Sequence, residues 1–212
     1  MTDTINLESL DNLIQVATTL ISAIICIRYY ILSKKQEWAL LFLYTFVCFL
    51  GDLYYQLFFV FYGSAPNYSY IPYYSWYSSF LFLGLLLVKL RGDGIKRNLR
   101  FLWPALAFTG GMCIFFINWG EYLANIICAI LMAVLIWESI DGLFGIKKES
   151  GNKNRMPLYI LVLLFVTAEY IAWVSSCFWV GNTLKNPYFW ADTFISLYFV
   201  ALPFALRKAV VE

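Results

Sequence analysis

Residues 157–180 read PLYILVLLFVTAEYIAWVSSCFWV, an apolar run carrying one charge, Glu169. Crossing a bilayer core about 30 Å thick takes roughly 20 helical residues, and this run is long enough. Lipid offers no solvent to free backbone groups, so only a helix or a closed barrel spans it. Barrel strands alternate apolar and polar residues over short segments, and no such alternation runs through 157–180. The stretch predicts a transmembrane helix with a carboxyl near its middle.

Six more runs of this kind accompany it, at 13–32, 38–61, 71–88, 102–119, 122–144 and 188–206. Turn-forming residues separate them, among them Gly63 to Asn67, Arg91 to Gly94, Ser150 to Asn154 and Gly181 to Pro187. The shortest separator is Asn118-Trp119-Gly120-Glu121, which reads either as a tight outer turn or as a miscount of the two segments it divides. Composition agrees: 62% of residues are hydrophobic and 13% charged, against about 45–50% and 25% in soluble domains. Intrinsic disorder is excluded, because it requires low hydrophobicity. The expected fold class is all-α, a polytopic seven-transmembrane helix bundle, with residues 1–212 forming a single transmembrane domain.

The basic residues predict its orientation. Of the 15 Lys and Arg, 14 fall after odd-numbered spans or before even-numbered ones, and only Lys185 lies at the other end. Under the positive-inside rule the rich side is cytoplasmic. The N-terminus, with Asp3, Glu8 and Asp11, is then expected outside and the C-terminus in the cytoplasm. No basic n-region or small-residue cleavage site precedes span one, so no removed signal peptide is expected. The expected location is the plasma or cytoplasmic membrane, as a multi-pass protein. The charges lie dispersed over loops, without interleaved stacking aromatics, so nucleic acid is not an expected partner.

The chain contains no histidine, which removes histidine-based triads, zinc sites and proton switches. Its five cysteines, Cys26, Cys48, Cys113, Cys128 and Cys177, all fall inside spans without a C-x-x-C pair, and read as small apolar residues. Neither a metal site nor a cofactor is expected. Trp38, Trp103, Trp119 and Trp179 suit the membrane interface. Pro104 and Pro203 inside spans, and Gly110-Gly111 in span four, mark places where a helix is kinked or closely approached.

Function is most legible in the buried acids. A charge at the bilayer centre costs at least about 2.5–3.5 kcal/mol, so each needs a partner, a cavity or a proton. Glu138 and Asp141, three residues apart near the cytoplasmic end of span five, lie within reach of basic loop residues and read as an interfacial salt-bridge cluster. Asp52, Glu169 and Asp192 lie at the midplane or in the outer half, where no span carries Lys or Arg. Helical spacing gives them polar and aromatic companions. Span one carries Asn12, Gln15, Thr18, Thr19 and Ser22; span two aligns Asp52 with Gln56; span three offers Tyr74 and Tyr77; Trp173 follows Glu169, and Ser196 follows Asp192. The expected ligand-binding set is Asp52, Gln56, Tyr74, Tyr77, Glu169, Trp173, Asp192 and Ser196. Together these would line an outward-facing pocket for a small cationic or polar ligand, since carboxylates and aromatic faces both attract cations.

Seven spans with the N-terminus outside resemble microbial rhodopsins and G-protein-coupled receptors in topology. Residues 188–206 contain no lysine for a retinal Schiff base. Leu50-Gly51-Asp52 is similar to a Leu-Gly-Asp in an early span of the lysoplasmalogenase family, and Ala191-Asp192 with Tyr198-Phe199 is similar to its last span. This resemblance implies an intramembrane hydrolase in which Asp52 and Asp192 act on a vinyl ether. That family has an eighth span and a histidine-bearing segment, which are absent here. The layout is also similar to the membrane modules of bacterial signalling proteins, for which a separate cytoplasmic protein partner at the basic loops would carry the output. The expected function is a receptor-like membrane sensor rather than an enzyme. The hydrolase and a small proton-coupled transporter, with a path from Glu169 to Glu138 and Asp141, are the alternatives.

Overall fold

The computed structural model describes residues 7–63, 70–91, 97–119, 121–148, 153–178 and 183–210. It is all-helical among them: α1 (Leu7–Ser33), α2 (Gln36–Tyr62), α3 (Tyr70–Arg91), α4 (Leu102–Phe115), α5 (Tyr122–Lys148), α6 (Met156–Phe178) and α7 (Pro187–Val210), with short 3-10 turns. Seven helices, α4 counted with its flanking 3-10 turns, are long and apolar enough to cross a membrane, which makes this a multi-pass membrane protein in design. Asp3, Lys96, Trp179 and the separators at 64–67, 92–94, 150–152 and 181–182 lie outside the described residues.

Connections reverse the chain cheaply. Between α1 and α2, Lys34 takes a left-handed φ of 55° and donates its N–H to Tyr30 O at 2.7 Å. At the end of α2, Gly63 (φ 68°) donates to Phe59 O, closing the helix with the left-handed cap that glycine adopts without strain. The α4–α5 turn is held by Asn125, whose side-chain amide donates to the carbonyls of Phe116 and Trp119, both at 2.8 Å. One amide thus ties both ends of the short turn after α4 to the start of α5. Pro104 sits in the first turn of α4, where no N–H is needed. The helix continues through Gly110 and Gly111, which face open space, and α7 continues through Pro203.

The helices pack as a closed circuit, α1–α2–α3–α5–α6–α7 and back to α1, while α4 rests against α5. α4 is the least buried of the seven. Small residues permit two close approaches. A Cβ on Gly51 would meet Ser75 Cβ at 2.9 Å, and one on Gly142 would meet the Tyr159 ring at 2.5 Å. The second neighbour is a rigid, buried ring, so Gly142→Leu should force α5 and α6 apart. A loss of about 1–3 kcal/mol, read as earlier loss of helicity in a detergent denaturation series, is the expected result.

An aromatic layer crosses the bundle at mid-depth. Tyr44 stacks on Phe199 at 5.7 Å, Phe165 stacks on Tyr198 at 4.6 Å, and Phe80 meets Phe165 edge-on at 6.1 Å. Below it Leu41, Leu83, Leu87, Leu135, Leu158 and Leu202 are fully buried. Trp38 belongs to the packing and not to the membrane interface: it is 3% exposed and stacks on Tyr29 at 4.5 Å. Trp103 is exposed, as an interfacial anchor requires.

Beneath the leucines lies the other ionic feature. Arg91, at the end of α3, forms ion pairs with Asp141 and with Glu138 (3.5 Å), and Arg97 reaches Glu138 at 3.2 Å. The Asn98 N–H donates to Asp141 Oδ2 at 3.0 Å, and the Trp137 indole N–H donates to Asn98 O at 3.3 Å. The i,i+3 spacing of Glu138 and Asp141 points both acids at one arginine, and the chain entering α4 is tied to α5.

Candidate functional site

A cavity of about 380 Å³ occupies the half of the bundle above the aromatic layer, at the end where α1 starts and α2 finishes. Asp52 from α2, Glu169 from α6 and Asp192 from α7 all line it. The reason is topological. Each acid lies in the half of its helix nearest the same end, and the closed circuit turns those faces inward. Gln15 of α1 completes this wall, and Tyr188 stands one turn before Asp192. Across from them are Tyr73 and Trp76 of α3, Phe116 and Trp119 after α4, and Glu121, Asn125 and Cys128 at the start of α5. Trp173, one turn beyond Glu169, supplies a further face. Trp119, Glu121 and Tyr188 are exposed and form the rim.

The described lining residues include four carboxylates and no Lys or Arg. Water in such a space lowers the cost of keeping charge at bilayer depth. Gln15 Nε2 donates to Asp192 Oδ1 at 3.2 Å. Asp11, buried one turn earlier on α1, is also in side-chain contact with Asp192. Thr19 Oγ1 lies 3.5 Å from Asp52 Oδ2, but its closest acceptor is Gln15 O at 2.8 Å. A hydroxyl has one proton, and the shorter bond takes it, so Asp52 gains little from Thr19. Glu169 has neither a hydrogen bond nor an ion pair among the described residues. No group of three Asp, Glu or Cys among the described residues is placed to hold a metal ion.

Four of the eight residues expected from sequence line this cavity: Asp52, Glu169, Trp173 and Asp192. The other four sit elsewhere. Tyr74 is 69% exposed on the outside of α3. Tyr77 is half-buried and stacks on Tyr73 at 6.3 Å, behind the wall. Gln56 is buried beyond the lining, one turn from Asp52. Ser196 is buried below Asp192, with a hydroxyl that has no hydrogen-bond partner among the described residues. On α3 the lining aromatics are Tyr73 and Trp76, one position earlier than Tyr74 and Tyr77, a rotation of about 100°. The buried run Phe80, Leu83, Leu87 and Arg91 on the same helix carries the phase that identifies Trp76. Glu121, Asn125 and Tyr188 come from turns or helix starts and lack a periodic signal. No family model, curated protein or solved structure matches this chain.

Proposed function

We propose that this protein is a receptor-like membrane sensor whose cavity binds a small organic cation. One observation carries the reading: Asp52, Glu169 and Asp192, from three helices, line one aromatic-walled space with no basic residue among its described lining. Carboxylates supply charge, and the faces of Trp76, Trp173 and Tyr73 attract a cation further. The volume, about 380 Å³, falls in the range of small-ligand pockets, roughly 300–1,000 Å³. The aromatic and leucine layers beneath favour a blind chamber over a proton or substrate conduit.

Orientation belongs to this reading. The cavity lies at the end opposite 13 of the 14 described Lys and Arg, so the positive-inside rule turns it outward and places the C-terminus in the cytoplasm. The plasma or cytoplasmic membrane suits that arrangement, and the basic end is the surface for a cytoplasmic protein partner.

The test is a titration of the purified chain in detergent, following tryptophan fluorescence, with n-butylammonium and with 1-butanol. Trp76, Trp119 and Trp173 border the cavity and report its occupancy. Saturable change with the cation and none with the alcohol is the expected result. An identical response to both, or no saturable response, would overturn the reading.

A further inference from the structure

We infer that the cavity is built for an organic dication, two ammonium groups joined by a short hydrocarbon spacer; this rests on the cation-binding reading above. The geometry comes from α1. Gln15 touches Asp192 and Thr19 touches Asp52. Residues four apart on one helix are separated by about 6 Å along its axis. Asp192 and Asp52 are thus touched from successive turns of α1, and both face the cavity. At ordinary single-bond lengths an extended four-carbon spacer holds its two nitrogens about 6 Å apart. One ammonium would meet Asp192, the other Asp52.

Asp52 and Glu169 need a donor most. Asp52 receives almost nothing from Thr19, whose proton goes to Gln15 O. Glu169, which shares the cavity lining and lies within electrostatic reach of Asp52, has no hydrogen bond or ion pair among the described residues. An ammonium has three N–H donors and can serve both acids. A single metal ion does not answer this arrangement, because no three ligands close on one point among the described residues. Trp76 and Trp173 then face the hydrocarbon spacer between the two charged ends.

Butane-1,4-diammonium, ethane-1,2-diammonium and n-butylammonium, titrated at constant ionic strength against tryptophan fluorescence, test this. The four-carbon diamine is expected to bind about tenfold or more tighter than either of the others, a factor typical of one added ionic contact. Asp192→Asn should erase the advantage of the four-carbon diamine over n-butylammonium. Equal affinity for the three amines, or equal affinity for the two diamines, overturns the two-acid geometry while the cation reading stands. Absence of binding by all three overturns both. Should Asp192→Asn fail to fold, the comparison on the unaltered chain decides alone.

Discussion

Arg91→Met is expected to lower stability by about 3–5 kcal/mol, the usual cost of leaving buried charges without their partner. Glu138 and Asp141 are 2% and 3% exposed and both pair with this one guanidinium. Arg97 offers Glu138 a second contact, but it is 42% exposed, and among the described residues Asp141 retains only the Asn98 N–H. Methionine preserves much of the volume, so the loss isolates charge from packing. The measurement is the midpoint of helicity loss in a detergent denaturation series. Arg91→Met combined with Glu138→Gln and Asp141→Asn should recover most of the stability, since neutralising a whole buried network costs far less than breaking it. If the single variant matches the unaltered chain, the cluster contributes nothing to holding α3 against α5.

Neutralising the cavity should have the opposite signature. In Asp52→Asn/Glu169→Gln/Asp192→Asn, binding of n-butylammonium is expected to fall by about a hundredfold or more, because each lost ionic contact is worth roughly 1.5–3 kcal/mol. Stability should hold or rise by about 0.5–2 kcal/mol, as is common when binding groups are removed. The three acids lie within electrostatic reach of one another, and their mutual repulsion disappears in the amides. Lost binding with retained stability separates a ligand site from polar glue between helices. If these acids were glue, the triple variant would instead be destabilised with its fluorescence response intact.

The seven helices were legible because lipid imposes a one-dimensional rule. A run of about 20 apolar residues is written in consecutive positions, and 157–180 carries it plainly. The Glu138–Asp141 cluster was legible for a similar reason, since i,i+3 spacing puts both acids on one face whatever surrounds them. Asp52, Glu169, Trp173 and Asp192 could be singled out because charge and aromaticity at bilayer depth are exceptional. Tyr74 and Tyr77 show where this reasoning weakens. With tyrosine or tryptophan at 70, 73, 74, 76 and 77, the first turns of α3 are aromatic over nearly half of the circumference, and composition cannot choose which edge of that arc faces the cavity.

Helix number, depth and charge asymmetry follow from local transfer energies, which each segment carries without its neighbours. The rotation of each helix, the order around the circuit and the contents of the cavity depend on which faces meet. That is a matter of side-chain packing between segments distant in the chain: Gly51 against Ser75, Gly142 against Tyr159, Gln15 against Asp192. No stretch of 20 residues encodes those pairings. The acids of α2, α6 and α7 share one space only because the assembled bundle turns them toward each other.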